Sequence, residues 1–127
     1  MMIYLATPYS HPDPAVRQSR FEAANHMTAA LIEAGYVVFS PISHSHVIAP
    51  YLVRESTDWD FWKEQDLPML AACKRLVVMT YDPAWSKSVG VLAEIEFAKV
   101  NNIKTIYLPE TPKEFSDLPP RFRLVEW

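Results

Sequence analysis

The sequence predicts a three-layer α/β fold, in which helices cover both faces of a sheet of four to five mostly parallel strands. Four short apolar runs, each a candidate buried strand, alternate with longer segments that carry helix-capping residues or helical periodicity. The runs are apolar at nearly every position rather than at alternate positions, which is typical of parallel strands that are covered on both sides. Such a sheet is expected to bind ligands at the carboxyl ends of its strands.

Composition limits the class of protein. The chain has 127 residues, of which 50% are hydrophobic and 13% aromatic, as expected for one globular domain. A net charge of -3 gives no electrostatic reason to expect binding to a nucleic-acid polymer. The single cysteine, Cys73, cannot form an intrachain disulfide, and we find neither a leader nor a membrane-length apolar run. We therefore expect a soluble, cytoplasmic protein that does not contact a membrane.

The first two strands and the helix between them are marked by clear boundaries. The first strand is the run Met2 to Ala6, which Thr7-Pro8 ends. Asp13-Pro14 predicts a helix start, with aspartate as the N-cap and proline as the first helical residue. Gly35 is placed to end this helix, and Tyr36 to Ser40 form the second predicted strand.

The middle of the chain has weaker signals. Ser43 to His46 are expected to form a loop at the carboxyl edge of the sheet, and Val47 to Ser56 an irregular flap. Thr57 or Asp58 then caps a second helix. Because Pro68 lies inside this helix, we expect a kink or a break just before it.

The last part of the chain repeats the strand–helix–strand order. Leu76 to Met79 predict the third strand, the helix capped by Ser88 follows it, and Lys104 to Leu108 predict the fourth strand. From about residue 109 the tail is rich in proline, although Leu124-Val125 could add a short fifth strand. The whole chain, residues 1–127, is thus predicted to be one Rossmann-like (flavodoxin-like) domain.

Glu94 is the first candidate for chemistry. It lies in the second turn of the helix that Ser88 caps, one turn above Gly90, at the expected ligand-binding edge. The missing side chain of Gly90 is expected to leave room for a substrate. Glu96 lies about 200° further around the helix, so the two carboxylates cannot share a face. The ordinary alternative is that both glutamates are solvated surface residues.

Other polar and aromatic residues are predicted at the same edge. Asp66 supplies a second carboxylate beside Tyr9, and this combination suits glycosidic chemistry, in which one carboxylate acts at the anomeric carbon and another group handles the leaving-group proton. Trp59 and Trp62 offer ring faces on which a base can stack, although helix-to-sheet packing is an equal alternative. The residues expected to contact the substrate are Thr7, Ser10, His44, Trp59, Trp62, Ser86, Ser88 and Gly90.

Three further features have weaker interpretations. The spacing of His44 and His46 resembles a metal half-site, but the sequence has neither an HExxH motif nor paired cysteines to complete it, so we expect no metal. Ser86 and Lys87 precede a helix and could receive a phosphate, with ordinary capping as the alternative. Cys73 follows two alanines in an apolar context and is expected to be inert core.

Three motifs occur in order along the chain: Ile3-Tyr4-Leu5-Ala6-x-Pro8-Tyr9, then Asp66-Leu67-x-x-Leu70-x-x-Cys73, then Ser88-x-Gly90-x-x-x-Glu94-x-x-x-Ala98. Their order and spacing resemble the opening strand, the aspartate motif and the catalytic motif of the nucleoside 2-deoxyribosyltransferase superfamily, in particular its small uncharacterised bacterial and phage members. The resemblance covers residues 3 to about 108. Thr7 and Glu96 stand where members of that superfamily often have glycine.

The resemblance implies base exchange or N-glycoside hydrolysis on a deoxynucleoside or its 5′-monophosphate, with no metal or organic cofactor. By this resemblance Glu94 attacks C1′ and forms a covalent deoxyribosyl-enzyme, while Asp66 contacts the base and helps to protonate it. Tyr9 would position the sugar or the Glu94 carboxylate, and Ser88 would contact the sugar or its 5′ group.

Two other functions remain open at this point. The first is a nucleotide-binding or sensing module on the same fold, without turnover. The second is a metal-dependent hydrolase that uses His44 and His46. We also expect a homo-oligomer, dimer or tetramer, because four tryptophans, the segment 47–56 and the tail offer more apolar surface than a small sheet needs.

Overall fold

A computed structural model of the protein describes residues 2–53 and 58–108. Within these ranges it confirms the three-layer α/β fold, and two short 3₁₀ segments, Ala49–Tyr51 and Pro83–Lys87, complete the connections. The strands and helices are, in chain order, β1 (Met2–Ala6), α1 (Pro14–Glu33), β2 (Val37–Phe39), α2 (Pro41–Ile48), α3 (Trp59–Ala71), β3 (Arg75–Met79), α4 (Val89–Val100) and β4 (Lys104–Leu108).

The sheet is parallel and has the strand order β2-β1-β3-β4. Within the four strands described, this is the strand order of flavodoxin-like sheets. The chain moves from β1 to β2 in one direction and then crosses back to β3 on the other side of β1. The carboxyl ends of β1 and β3 therefore flank the crevice in which open α/β sheets bind ligands.

Each face of the sheet has its own core because successive residues of a strand point to opposite sides. Ile3 and Leu5 of β1 pack on the α1 side, and Tyr4 and Ala6 pack on the side of α3 and α4. The α1-side core also contains Met27, Leu31, Tyr36, Val77, Met79 and Leu108. The other core also contains Leu70, Cys73, Leu76, Val78, Val91 and Ala98.

The predicted helix boundaries are confirmed by their hydrogen bonds. The Asp13 side chain accepts from the Ala15 N–H at 2.9 Å, and Ser88 Oγ accepts from the Val91 N–H at 3.2 Å. Gly35 follows α1 with φ of +98°, a left-handed conformation that glycine adopts without a steric penalty. Asp58 caps α3 by accepting from the Asp60 N–H at 3.2 Å. Thr57, the alternative cap, lies outside the described residues.

The loop predicted for Ser43 to His46 is wrong, because these residues lie inside α2. Ser40 is the N-cap of α2 and accepts from the Ser43 N–H at 3.3 Å, and Pro41 is its first residue. Proline is favoured at that position because its missing N–H has no helical partner to lose. The predicted flap begins inside α2 and continues into the 3₁₀ segment, and residues 54–57 lie outside the described ranges.

Of the kink or break predicted before Pro68, the break does not occur, since α3 is continuous from Trp59 to Ala71. Pro68 lies near the end of the helix, so the single N–H that it lacks interrupts only the bond to Glu64. No helix among the described residues is long and apolar enough to cross a membrane. The proline-rich tail and Leu124-Val125 fall outside the described residues.

Candidate active site

A cavity of about 510 Å³, called here the edge cavity, opens at the carboxyl edge of the sheet. Its walls come from the segment after β1, from α2 and α3, and from the start of α4 with the segment before it. The lining residues are Thr7, Pro8, Tyr9, Ser10, His11, Arg20, Pro41, Ile42, Ser45, Ala49, Asp58, Trp59, Trp62, Asp66, Ala84, Lys87, Ser88, Val89, Gly90, Val91 and Glu94.

Glu94 lies in the wall of the edge cavity and is only 4% exposed. The hydroxyl of Tyr4 donates a hydrogen bond to its Oε2 atom. Burial raises the pKa of Glu94 to about 8; the Tyr4 hydrogen bond opposes this shift, and the negative charge of Asp66 adds to it. Glu96 is exposed, so the prediction that the two glutamates lie on different faces of the helix is confirmed.

Tyr4 contacts the Glu94 carboxylate. The sequence analysis had offered this role for Tyr9, with positioning of the sugar as the other option. The ring of Tyr4 is fully buried among apolar residues of β1 and the neighbouring strands. Burial, followed by the charge of Glu94, raises the pKa of Tyr4 far above its usual range, so the hydroxyl keeps its proton and acts as a donor. The sequence did carry a signal for this contact. Tyr4 stands inside an apolar strand, and a buried phenol needs a hydrogen-bond partner.

Asp66 extends from α3 into the same wall and is 5% exposed. Its Oδ1 atom has no hydrogen-bond partner, and burial raises the pKa of the carboxyl to about 6. Asp66 and Glu94 both line the edge cavity, one from α3 and the other from α4. The predicted pair of carboxyl groups is thus brought together at one cavity.

Gly90 does not leave the empty space that the sequence suggested. A Cβ atom at Gly90 would lie 3.3 Å from Cε3 of Trp59, so the indole of Trp59 already occupies that side of α4. The expectation of room for a substrate at this point is therefore corrected: glycine allows the tryptophan to approach. Trp59, Trp62 and Gly90 all line the edge cavity.

Tyr9 is held by a directional chain of hydrogen bonds. Gln18 donates from Nε2 to the carboxylate of Glu22 at 3.2 Å, so its Oε1 faces His46 Nε2 at 3.0 Å as an acceptor. With Nε2 as donor, His46 Nδ1 accepts from the Tyr9 hydroxyl at 2.6 Å. Burial, and then the charge of Arg17, lower the pKa of His46, which agrees with this neutral tautomer. Tyr9 is thereby fixed as one wall of the edge cavity.

Arg20 connects the two segments that border the cavity mouth. Its Nη1 donates to the backbone oxygens of Ser10 at 2.9 Å and Tyr9 at 3.3 Å, and its Nε donates to Asp82 Oδ2 at 3.3 Å. One side chain of α1 thus ties the segment after β1 to the segment after β3. No sequence motif pointed to Arg20, since its partners are two backbone oxygens and a carboxylate that lie elsewhere in the sequence.

Two of the residues expected to contact a substrate lie elsewhere. His44 is exposed and borders a separate shallow groove between α2 and α3. Ser86 is exposed and its hydroxyl donates to the Pro83 backbone oxygen at 3.1 Å. Thr7, Ser10, Trp59, Trp62, Ser88 and Gly90 do line the edge cavity, as do Tyr9, Asp66 and Glu94. Ser45, which the sequence analysis missed, joins them from α2.

The described residues do not assemble a metal site from the histidine pair. Both ring nitrogens of His46 already contact protein groups, and His44 faces the other groove. Among residues 2–53 and 58–108, no three histidine, cysteine, aspartate or glutamate side chains are grouped as metal ligands. Cys73 is buried, its thiol donates to the Met69 backbone oxygen, and burial raises its pKa to about 11, as expected for a core thiol.

Comparison with known proteins places the chain in a family. A family model described as a domain of unknown function, DUF1937, matches residues 1–108. The chain belongs to the DUF1937 family. No curated protein matches this DUF1937 chain. Among solved structures it is similar to the 2-deoxyribosyltransferase from the psychrotolerant bacterium Bacillus psychrosaccharolyticus, with a TM-score of 0.58 and 19% sequence identity, covering 84% of this chain and 71% of that one. The likeness confirms the predicted nucleoside 2-deoxyribosyltransferase-like fold.

Proposed function

We propose that this DUF1937 protein cleaves or exchanges the N-glycosidic bond of a nucleoside or nucleotide, with Glu94 as the nucleophile. The observation that carries the proposal is the burial of Glu94 in a cavity wall, with Tyr4 on one of its oxygens and Asp66 nearby. The cavity of about 510 Å³ is within the usual size range of small-molecule sites. The three sequence motifs and the fold shared with a 2-deoxyribosyltransferase support the same reaction.

The geometry suggests how the reaction would proceed. Tyr4 holds Oε2 of Glu94, which leaves Oε1 to attack C1′ of the sugar. As the new C1′–O bond forms, the C1′–N bond breaks and its electron pair goes to the base. Asp66 gives the departing base a proton, so the base leaves neutral. Water, or a second base, then attacks C1′ and the C1′–O bond to Glu94 breaks. Asp66 takes the proton that the attacking molecule loses, so both carboxyl groups return to their starting states. This chemistry needs no metal or organic cofactor, because protonation activates the leaving base.

The protonation states set a condition on this reaction. It needs Glu94 ionised and Asp66 protonated, whereas burial raises the pKa of Glu94 to about 8 and that of Asp66 to about 6. Near pH 7 the required form amounts to on the order of 1% of the free protein. We therefore expect kcat/KM to be largest between about pH 6 and pH 8 and to fall on either side.

The remaining lining residues have supporting roles in the proposal. Trp59 and Trp62 offer faces for the base, and Tyr9 forms a wall fixed by His46. Thr7, Ser10 and Ser88 add polar side chains to the lining of the edge cavity. His44 and Ser86 have no part in it, since neither lines the edge cavity.

The test is an incubation of the protein with 2′-deoxynucleosides and their 5′-monophosphates, with and without a free acceptor base, followed by mass spectrometry. We expect released base and a glycosyl adduct on the wild type, and at least a thousandfold slower release from Glu94→Gln. Glu96→Gln is the matched control, because it removes a carboxylate from the exposed face of the same helix. Dependence on the acceptor base distinguishes a transferase from a hydrolase.

The same experiment distinguishes an enzyme from the main alternative, a nucleotide-binding module without turnover. A wild type that binds these nucleosides by calorimetry but releases no base at any protein concentration would be a nucleotide-binding module. Base release that survives Glu94→Gln would remove Glu94 from the mechanism while leaving an enzyme.

We further propose that the protein acts in the cytoplasm as a homo-oligomer. Large apolar side chains stand in solvent on several segments, including Tyr51 at 87% and Val89 at 69% exposure. Their burial between copies would remove apolar surface from water. Light scattering at micromolar concentration should give the mass of a dimer or tetramer, and a monomer mass would contradict the proposal.

A further inference from the structure

Three buried side-chain oxygens in the described part of the chain have no hydrogen-bond partner: Thr7 Oγ1, Ser45 Oγ and Asp66 Oδ1. Their residues are 6%, 8% and 5% exposed. They come from three separate elements, namely the segment after β1, helix α2 and helix α3. All three residues line the edge cavity.

Unpaired buried oxygens of this kind are unfavourable for the free protein. The unfolded chain hydrogen-bonds each of them to water, and folding removes that water without supplying a replacement. Native proteins satisfy most buried polar side chains, so three unsatisfied oxygens around one cavity call for a common explanation. A ligand that supplies the missing hydrogen bonds accounts for all three.

We propose that the hydroxyls of Thr7 and Ser45 bind the polar edge of the substrate's base, beside Asp66. This assignment rests on the proposed function, and it adds Ser45 as a specificity-determining residue that no sequence motif indicated. A rotation about one Cα–Cβ bond redirects a serine or threonine hydroxyl by about 120° towards a ligand. Each hydroxyl can donate or accept, which matches a base edge where ring nitrogens, carbonyls and amino groups alternate.

The shape and composition of the cavity favour the base over the sugar as the group that is bound. Trp59 and Trp62 line the same cavity and provide flat apolar faces for a planar ring. A planar ring held between such faces presents only its edge to polar groups. Thr7 and Ser45 are the uncharged hydroxyls that are left without partners there.

Removal of the Thr7 or the Ser45 hydroxyl should weaken binding of the base without lowering the stability of the free protein. Thr7→Val and Ser45→Ala remove hydroxyls that have no partner in the free protein, so the Tm without ligand should stay the same or rise. Each variant should bind the base about tenfold more weakly, because one hydrogen bond to the ligand is lost.

The chain supplies two matched controls whose hydroxyls do have partners. Ser43, on the same helix as Ser45, donates to Asn25 Oδ1 at 2.6 Å, and its Oγ lies 2.8 Å from the Ser40 hydroxyl, from which it can accept. Thr28 donates to the Ala24 backbone oxygen at 2.7 Å. Ser43→Ala and Thr28→Val should lower the Tm and leave the affinity for the base unchanged.

The experiment combines thermal unfolding without ligand and calorimetric titration of the full chain in a Glu94→Gln background, which prevents turnover. The three probes are a 2′-deoxynucleoside, its free base, and methyl 2-deoxyriboside, which carries the sugar without a base. Thr7→Val and Ser45→Ala should weaken binding of the first two probes and leave the third unchanged.

Each other outcome overturns a defined statement. Variants that lose Tm as the controls do, with unchanged affinity for the base, would show that the hydroxyls are structural and would end the inference. An equal loss with methyl 2-deoxyriboside would assign the hydroxyls to the sugar instead. If base release by the wild type is absent while the base still binds through Ser45, the proposed function fails and the inference stands.

Discussion

The two faces of the sheet are built from the same strands but differ in what they bury. On the α1 side, Ile3 and Leu5 belong to a core whose buried members are all apolar apart from the Tyr36 hydroxyl. On the side of α3 and α4, the core around Tyr4 adjoins two buried carboxyl groups, Asp66 and Glu94. A shift of one residue along β1 therefore separates a surface that packs only apolar side chains from one that adjoins two buried carboxyl groups.

The difference shows which face of the sheet buries ionisable groups at a cost in stability. Burial disfavours the ionised form of both carboxyl groups, and their raised pKa values express that unfavourable free energy. Among the described residues, no carboxyl group is buried in the core around Leu5. Changes on the first face should thus alter the free energy of unfolding, while changes on the second should alter activity or its pH dependence.

The largest effect is expected from Leu5→Ala. Removing a fully buried leucine from the α1-side core should lower the free energy of unfolding by about 2–5 kcal/mol, through lost burial and a residual cavity. Urea denaturation measures the loss, and kcat per folded molecule should stay within twofold of the wild type. A matching drop in kcat would show that the two faces are not independent.

The pH dependence of stability should be the next largest effect. Asp66 and Glu94 hold their protons more tightly in the folded state, so between about pH 5 and pH 8 the folded chain binds more protons than the unfolded chain. Stability must then fall as pH rises, by on the order of 1 kcal/mol per pH unit. Denaturation at several pH values checks this. Glu94→Gln should flatten the slope and Glu96→Gln should leave it unchanged.

A smaller effect is expected from Tyr4→Phe. The Tyr4 hydroxyl stabilises ionised Glu94, so its removal should lower kcat/KM about tenfold and shift the Glu94 ionisation seen in the pH profile above pH 8. Tyr4→Phe should lower the free energy of unfolding by less than Leu5→Ala does, because the aromatic ring remains in the core. An unshifted profile would mean that the hydrogen bond does not control the ionisation of Glu94.

The smallest effect is expected from Gly90→Ala. Alanine favours a helix interior by up to about 1 kcal/mol over glycine, but its Cβ would lie 3.3 Å from the Trp59 indole. The gain in helix propensity and the cost of this close contact should nearly cancel in the free energy of unfolding. Displacement of the indole into the edge cavity should raise KM about two- to threefold. In a Trp59→Phe background the contact is relieved, so the same change should raise the Tm.

Much of the fold was predictable because its signals are local. Asp13-Pro14 and Gly35 gave the bounds of α1, and Ser88 gave the start of α4. The pair Ser40-Pro41 carries the same capping pattern as Asp13-Pro14, yet α2 was missed because the proline was interpreted only as the end of a strand.

The candidate site was predictable only in part, because its contacts join distant segments. Helical periodicity separates Glu94 from Glu96, and that prediction is confirmed. It does not reveal that Tyr4 lies against Glu94, or that Trp59 fills the space beside Gly90. The alternation of side chains along a strand assigns each one to a face of the sheet. The position of a helix on that face depends on packing contacts made throughout the chain.

The position of β1 between β2 and β3 also fixes an order of events during synthesis of the chain. The unit from β1 to β2 can form early, whereas Tyr4 and Glu94 are separated by 90 residues. Their hydrogen bond requires synthesis of the chain through Glu94, and domains generally fold as units. Both cores also depend on β3, and the α1-side core includes Leu108 of β4, so neither the packing core nor the pair of buried carboxyl groups is complete until all four described strands have been synthesised.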